Sequence, residues 1–87
     1  MREGYGILKD KNGNVYEGNF GRNKKEGKGK EVYANGNVYV GDFLANKRDG
    51  EGILDYFNQE IIQYEGQFKE GKKHGEGIER FRDGKKY

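Results

Sequence analysis

The sequence predicts an all-β protein: a single elongated antiparallel sheet of stacked β-hairpins, with about eight strands and no helix. The first observation is a repeat. The frame Tyr-x-Gly-x-Phe, followed after a seven-residue step by Gly-x-Gly, occurs three times and starts at Tyr16, Tyr39 and Tyr64. These tyrosines and Tyr87 are 23, 25 and 23 residues apart. A fixed period of this size is the signature of a repeat array.

The second observation is the pattern inside each unit, which indicates strands and tight turns. Tyr16, Gly18 and Phe20 alternate with polar residues, as in a strand with one wet face. Asn-Gly or Asp-Gly pairs at 12–13, 35–36 and 83–84 are strong hairpin signals. No window has a helical face. We place strands near residues 3–9, 14–20, 27–33, 37–43, 50–57, 62–68, 75–81 and 85–87.

The third observation is the parity of the period. Side chains of a strand alternate between two faces, so a period of 23 would turn each tyrosine to the wrong face if both turns of a unit were alike. One turn per unit must therefore contain an odd number of residues or a bulge. The 25-residue unit adds two residues near 58–60, and an even insertion keeps the tyrosines on one face.

The predicted face of aromatic rings is also the predicted site of partner binding. The rings expected there are Tyr16, Phe20, Tyr39, Phe43, Tyr64 and Phe68, with Tyr33, Tyr56 and Phe81 from the second strands. Strand glycines leave room for a ring from the neighbouring strand, and we place Gly29, Gly52 and Gly77 on this face. A one-layer sheet has no second layer to cover its rings. We therefore expect a half-exposed aromatic groove that holds a protein partner, such as a helix.

The repeat resembles the MORN repeat, whose pattern is Y-x-G-x-F-x-x-G-x-x-H-G-x-G. The third unit matches at every marked position, including Gly71 and His74, whereas the first two carry Asn23 and Asn46 for the middle glycine and Glu26 and Asp49 for the histidine. Asparagine tolerates a left-handed backbone, so we expect the turn to be retained. The array divides into a half repeat, 1–15, and repeats 16–38, 39–63 and 64–87. The resemblance implies a scaffold in cytoskeletal, ciliary or membrane-adjacent assemblies.

Composition favours one small intracellular domain. The chain has 87 residues, a net charge of +2 and a mean hydropathy of −1.25. It contains no cysteine, which fits a reducing compartment. No apolar run is long enough to span a membrane, and the first residues do not form a signal peptide. We expect a cytoplasmic protein whose unguarded sheet edges allow end-to-end or edge association between copies.

Catalysis is not indicated, and neither is a metal or a cofactor. The sequence has no Ser, Thr or Cys, so the common hydroxyl and thiol nucleophiles are absent. The one histidine, His74, is expected in a turn. Asp10–Asn14 resembles the start of a calcium loop, but Val15 stands where that loop requires glycine. The Gly-x-Gly pairs are not followed by a helix and are no dinucleotide motif.

Three dibasic pairs are the alternative candidate site. They occupy identical positions in what we expect to be long loops: Lys24 and Lys25, Lys47 and Arg48, Lys72 and Lys73. Stacked units place them along one edge, where they could contact anionic lipid headgroups. Acidic residues lie among them, and lysines in turns commonly serve solubility. Nearly balanced charge argues against nucleic acid.

The sequence therefore leaves three functions open. The first is a non-catalytic scaffold or adaptor that binds a protein partner along its aromatic groove. The second is a peripheral membrane module that binds anionic lipid through the dibasic pairs. The third is an accessory portion of a larger enzyme.

Overall fold

A computed structural model describes residues 3–87, which form one open antiparallel sheet. Its seven strands lie side by side in sequence order. They are β1 (Gly4–Lys9), β2 (Val15–Gly21), β3 (Lys24–Val32), β4 (Val38–Leu44), β5 (Lys47–Asp55), β6 (Ile61–Lys69) and β7 (Lys72–Phe81). The described residues contain no helix and extend over 45 × 26 × 16 Å. The predicted fold class is confirmed. Of the first predicted strand, 3–9, residue 3 lies just before β1.

The eighth predicted strand is reduced to a short extension beside β7. Residues 85–87 make one isolated bridge, between Lys86 and Arg80. Glu79 and Tyr87 exchange backbone hydrogen bonds of 2.7 and 2.8 Å. This segment therefore covers part of the outer edge of β7.

Two-residue turns join the strands of each repeat, so the prediction of long loops at these positions is wrong. The turns are Arg22–Asn23, Ala45–Asn46 and Glu70–Gly71, and every one of these residues has a positive φ, from 50° to 86°. A positive φ at both central positions is the geometry that matches the twist of a β-hairpin. Asn23 and Asn46 adopt the left-handed conformation of Gly71, as predicted. Because these turns are so short, β3, β5 and β7 begin at the lysines, and His74 lies in β7 instead of in a turn.

The connections between repeats contain an odd number of residues, as the parity of the period requires. The first two connections, 10–14 and 33–37, have five residues each between the last paired residues of their strands. The third connection, 56–62, has seven residues between Asp55 and Gln63. The inserted residues lie in that third connection, as expected. Register shifts follow Gly18, Gly41 and Gly66 in the strands that begin the repeats.

The register aligns one glycine from every strand into a row across the sheet. The row consists of Gly6, Gly18, Gly29, Gly41, Gly52, Gly66 and Gly77. On one face, called here the ring face, tyrosine rings lie over this row: a Cβ on Gly29 would be 2.5–2.7 Å from ring atoms and the hydroxyl of Tyr16. The same holds for Gly52 beneath Tyr39 and Gly77 beneath Tyr64. These three glycines lie on the ring face, as predicted.

Asparagine side chains connect the turns of neighbouring repeats. The Oδ1 atom of Asn14 accepts a hydrogen bond from the backbone N–H of Ala34 (2.8 Å), and Asn37 does the same for Phe57 (2.9 Å). At the other ends of the strands, where the two-residue turns lie, Asn46 accepts a hydrogen bond from the N–H of Lys25 (2.9 Å). Each unit therefore caps backbone donors of the adjacent unit.

No helix in residues 3–87 has the length and apolarity that a membrane crossing requires.

Candidate functional site

Six aromatic rings form a continuous zipper along the ring face. In spatial order they are Phe20, Tyr16, Phe43, Tyr39, Phe68 and Tyr64, each meeting the next edge to face with centroids 4.9–5.1 Å apart. Every second contact joins two repeats. Edge-to-face pairs place the positive edge of one ring on the negative face of the next, which adds to the free energy of burial.

The six rings are buried, so the expected half-exposed aromatic groove is wrong. Tyr39 has 0% of its surface exposed, Tyr16 has 1%, and the other four rings have 3–6%. Each tyrosine ring lies down on the glycine row, and Tyr16 and Tyr39 are closed at the side by Phe43 and Phe68 of the next repeat. The rings thus cover one another without a second layer.

The three rings from second strands differ from one another in position. Tyr33 and Tyr56 are half-buried and pack against the core. Phe81 lies outside that cluster and meets the ring of Tyr87, with centroids 5.3 Å apart. The partner-binding role predicted for these nine aromatic residues remains a prediction.

One basic residue from each dibasic pair covers the rings. The ammonium group of Lys25 lies 5.3 Å from the centre of the Tyr16 ring and pairs with buried Glu31 at 2.7 Å. Lys73 lies 5.1 Å from the centre of the Tyr64 ring and pairs with Glu79 at 2.5 Å. A cation over the face of a ring is attracted by the ring's negative face.

Arg48 covers the rings of the central repeat. Its guanidinium carbon lies 5.2–5.8 Å from the centres of Phe68, Tyr39 and Tyr33. It donates a 2.6 Å hydrogen bond to the backbone carbonyl of Gly71, in the next repeat. The central repeat has Leu54 where the other repeats carry Glu31 and Glu79, so no carboxylate is available there. The guanidinium of Arg48 is hydrogen-bonded to a backbone carbonyl instead.

The predicted lipid-binding set is therefore divided between two faces. Lys25, Arg48 and Lys73 lie over the rings, whereas Lys24, Lys47 and Lys72 are exposed at the turn edge. Only the first lysine of each pair extends freely from the ribbon. No described residue of this set stands in the long loop that we expected.

The tyrosine hydroxyls are satisfied inside their own strands. Tyr16, Tyr39 and Tyr64 each donate to the backbone carbonyl three residues further on, at 2.7–2.9 Å. Burial raises the pKa of Tyr16 to about 12, and the nearby Glu31 carboxylate acts in the same direction. Burial also raises the pKa of Tyr33 to about 12. In a dry setting the neutral phenol is strongly favoured over the phenolate.

The opposite face of the sheet, called here the outer face, carries exposed apolar side chains. One cross-strand row contains Ile7, Glu17, Lys30, Val40, Ile53, Glu65 and Ile78. Its centre is apolar: Val40 is 49% exposed and Ile53, its neighbour on the next strand, is 36% exposed. A parallel row places Val15, Val32 and Val38 side by side.

A shallow groove runs across the strands on the outer face. Its volume is about 660 Å³, and its floor is the backbone of the central row, since the Cβ positions of these glycines lie on the ring face. Val40, Ile53 and Glu65 line one wall; Tyr5 and Glu51 line the other. We call this feature the glycine groove.

Sequence reasoning did not identify the outer face as a site, although the signal was present. In β4 and β5 the residues between the ring positions are Val40 and Ile53, where a wet face would carry polar residues. Reading the alternate positions of every strand together would have found the two apolar rows.

The described residues form no group of three or more His, Asp or Glu side chains that could hold a metal ion. His74 is exposed on β7. Two carboxylates of the outer face form ion pairs: Asp42 with Lys28 at 2.5 Å, and Glu65 with Arg80 at 3.0 Å.

The architecture defines a β-hairpin repeat protein: each unit buries its rings against its neighbours. The family follows from comparison with known proteins. The model of the MORN repeat matches residues 1–15, 16–38, 39–60 and 64–86. The chain belongs to the MORN repeat family. A comparison with curated proteins finds no matching sequence. MORN repeats are in general modules that bind proteins or membranes.

The contact between Tyr39 and Gly52 predicts a large effect of one methyl group. We expect Gly52→Ala to lower the free energy of unfolding by about 3 kcal/mol, because its Cβ would overlap the ring of buried Tyr39. Gly6→Ala is the matched control, since its Cβ would meet only the edge of Phe20, at 3.3 Å. It should cost less than about 1 kcal/mol. Urea unfolding followed by circular dichroism measures both, and equal losses would contradict the packing described.

The raised pKa of Tyr16 predicts alkaline destabilisation. The phenol has a pKa of 10.0 when unfolded and about 12 when folded. Its contribution to stability is therefore complete below pH 10 and is lost as the pH rises from 10 through about 12, amounting to about 3 kcal/mol. Urea unfolding at a series of pH values tests this. Tyr16→Phe should show a shallower decline, and an identical decline in the two proteins would refute the assignment.

Proposed function

We propose that this chain is a non-catalytic scaffold or adaptor module that holds a protein partner along the glycine groove of its outer face. The observation that carries the proposal is the exposed apolar row centred on Val40 and Ile53. Exposed apolar surface bordered by polar residues commonly marks a site of protein interaction. The rings of the other face are already covered, so the free apolar surface lies here.

The dimensions of the groove favour a helix. It reaches from β1 to β6, which at about 4.8 Å per strand is on the order of 24 Å. A helix of about 16 residues has this length. Such a helix would place an apolar ridge against Val40 and Ile53, and its polar residues would face the border of the groove.

The charges of the groove favour a partner that carries both signs. Lys28 and Lys30 border it on β3, and Glu51 and Glu65 border it on β5 and β6. Exposed charges at the border of an interface set orientation and association rate more than affinity. A partner with basic residues near β5 and β6 and acidic residues near β3 fits this arrangement.

The nine aromatic residues contribute to this function by holding the ribbon together. Tyr39 and Phe43 lie in the core, so removing them would cost several kcal/mol of stability and would confound any binding measurement. Substitutions on the outer face avoid that difficulty because the side chains are exposed. We propose a cytoplasmic setting, in a cytoskeletal, ciliary or membrane-adjacent assembly.

Binding of anionic membranes is a second candidate function, favoured by the exposed lysines at the turn edge. Lys24, Lys47 and Lys72 occupy equivalent positions on alternate strands, about 10 Å apart. Each basic residue near an anionic surface contributes about 1 kcal/mol. Glu26 and Asp49 lie close to this row in the sequence and reduce its net charge.

The protein-binding proposal predicts that charges at the centre of the groove abolish capture of the partner. Tagged wild-type chain and the Val40→Lys/Ile53→Lys variant are compared for proteins captured from cell extract, quantified by mass spectrometry. Proteins that bind the groove should be lost with this variant and retained with Ile62→Lys. That control also places lysine at an exposed apolar site, 42% exposed, outside the outer-face rows. Identical capture by all three proteins would refute the proposal.

The membrane candidate is tested by flotation with vesicles of neutral or phosphoinositide-containing composition. Binding to anionic vesicles alone is expected, and replacing Lys24, Lys47 and Lys72 by alanine should weaken it at least tenfold. The control removes the same charge elsewhere, at exposed Lys9, Lys30 and Lys86. Equal effects of the two triple variants would show non-specific attraction, and no flotation of the wild-type chain would eliminate this function.

A further inference from the structure

The edge strand β1 has the same sequence pattern as β3, β5 and β7. Its residues 4–7 stand in the positions that 27–30 occupy in β3, and β5 and β7 share the pattern. Each of these three strands pairs with the strand before it, which carries Tyr-x-Gly-x-Phe. β1 pairs with β2 on one side, and no strand among the described residues lies on its other side.

Gly6 on β1 corresponds to the glycines that interior tyrosines cover. A Cβ on Gly29, Gly52 or Gly77 would overlap a tyrosine ring. A Cβ on Gly6 would have two atoms within 4 Å, both from the ring of Phe20, at 3.3 and 3.6 Å. No tyrosine of residues 3–87 covers Gly6, so the surface that receives a ring elsewhere is open here.

The neighbouring residue Leu8 shows the same difference. In the interior, Leu54 is paired with Tyr39 on one side and Tyr64 on the other, and it is 5% exposed. Leu8 occupies the equivalent position, is paired with Tyr16 on one side and is half-buried. A tyrosine on the outer side of β1 would complete the enclosure of Leu8 that Leu54 already has.

The two edges of the sheet are not equivalent. The outer edge of β7 exchanges backbone hydrogen bonds with residues 85–87, whereas the outer backbone of β1 has no such partner among residues 3–87. An edge strand with unpaired N–H and C=O groups is a template for an added strand. β1 also lacks proline and carries one charged residue, Lys9, so nothing in it opposes pairing.

We propose that the edge of β1 binds one extended segment that carries Tyr-x-Gly-x-Phe, as an added antiparallel strand whose tyrosine ring lies on Gly6. The interior register fixes its position: the tyrosine stands opposite Leu8 and the glycine opposite Gly6, as Tyr39 stands opposite Leu54 and Gly41 opposite Gly52. Backbone hydrogen bonds supply affinity, and the ring on the glycine supplies specificity. This site goes beyond the proposed function because it uses the sheet edge and not the outer face.

The added strand has a conformation that this chain already adopts. The phenol of Tyr16 donates to the carbonyl of Asn19, three residues further along the same strand. The internal bond holds the ring down in a strand of this pattern, and a segment with phenylalanine in place of tyrosine would lack it. The partner is therefore a protein segment with a tyrosine, glycine and phenylalanine at alternate positions.

The test uses a synthetic peptide with the sequence of residues 14–23 of this chain, labelled with fluorescein, and the 87-residue chain. Fluorescence anisotropy measures affinity, and amide chemical shifts of the ¹⁵N-labelled protein locate the peptide. We expect binding with shifts concentrated in β1. Replacing the peptide tyrosine by alanine should weaken binding by roughly tenfold. An aromatic contact contributes free energy in addition to that of the area it buries, and this contribution corresponds to about a tenfold change in affinity.

Gly6→Ala in the protein is the reciprocal variant and should weaken binding of the unmodified peptide by a similar factor. Val40→Ala, on the outer face, is the control and should leave affinity unchanged. Circular dichroism establishes that each variant is folded. If Gly6→Ala were to unfold, the comparison of the two peptides with wild-type protein would still decide the matter.

Four results would overturn the proposal. The first is no binding at peptide concentrations of about 1 mM. The second is equal affinity of the tyrosine and alanine peptides, and the third is a set of shifts that maps to β7 or to the outer face. A second copy of the chain is the competing occupant. Self-association that the peptide cannot displace, measured by sedimentation velocity, would assign the edge to that copy and also overturn the proposal.

Discussion

The structure depends on one contact, a tyrosine ring lying flat on a glycine of the neighbouring strand. Any side chain at Gly29, Gly52 or Gly77 would occupy the space of the ring. With glycine there, the ring lies close to the backbone and its hydroxyl reaches a carbonyl of its own strand. A sheet of one layer can then bury aromatic side chains that would otherwise stand upright in water. This contact requires glycine for lack of a Cβ, and not for an unusual backbone angle.

Two further features follow from this contact. Because the tyrosines lie down, their edges are free to meet the phenylalanines of the next repeat, and the core becomes a zipper that joins the repeats. The faces of the rings point outward and attract Lys25, Arg48 and Lys73. Each repeat is thus stabilised by its neighbours, the behaviour expected of a quasi-one-dimensional array.

Much of this could be predicted from sequence, because local rules govern it. The spacing of the tyrosines defines the repeat. Because that spacing is an odd number of residues, each repeat must contain two different kinds of turn. The tolerance of asparagine for positive φ explains why Asn23 and Asn46 can replace glycine in one of them. The burial of the rings could not be predicted in this way, since it depends on how Tyr16 meets Phe43 across two strands. The two-residue length of the turn at Ala45–Asn46 was not predicted, and Arg48 was therefore expected in a long loop instead of over the rings.

The side chains of the two faces are therefore engaged differently. Residues of the ring face are occupied in holding the ribbon together, and a partner could use them only by separating contacts that stabilise the fold. The outer face has no such task, yet it carries Val40 and Ile53 where a solvated strand would carry polar residues. Exposed β-branched residues also suit the pleated surface of a strand, so apolarity alone does not make a site. What distinguishes this surface is the groove, whose walls are two rows of outer-face side chains and whose floor is the backbone of the glycine row. The strands that hold the rings on one face thereby carry, on the other face, the groove in which we propose that a partner lies.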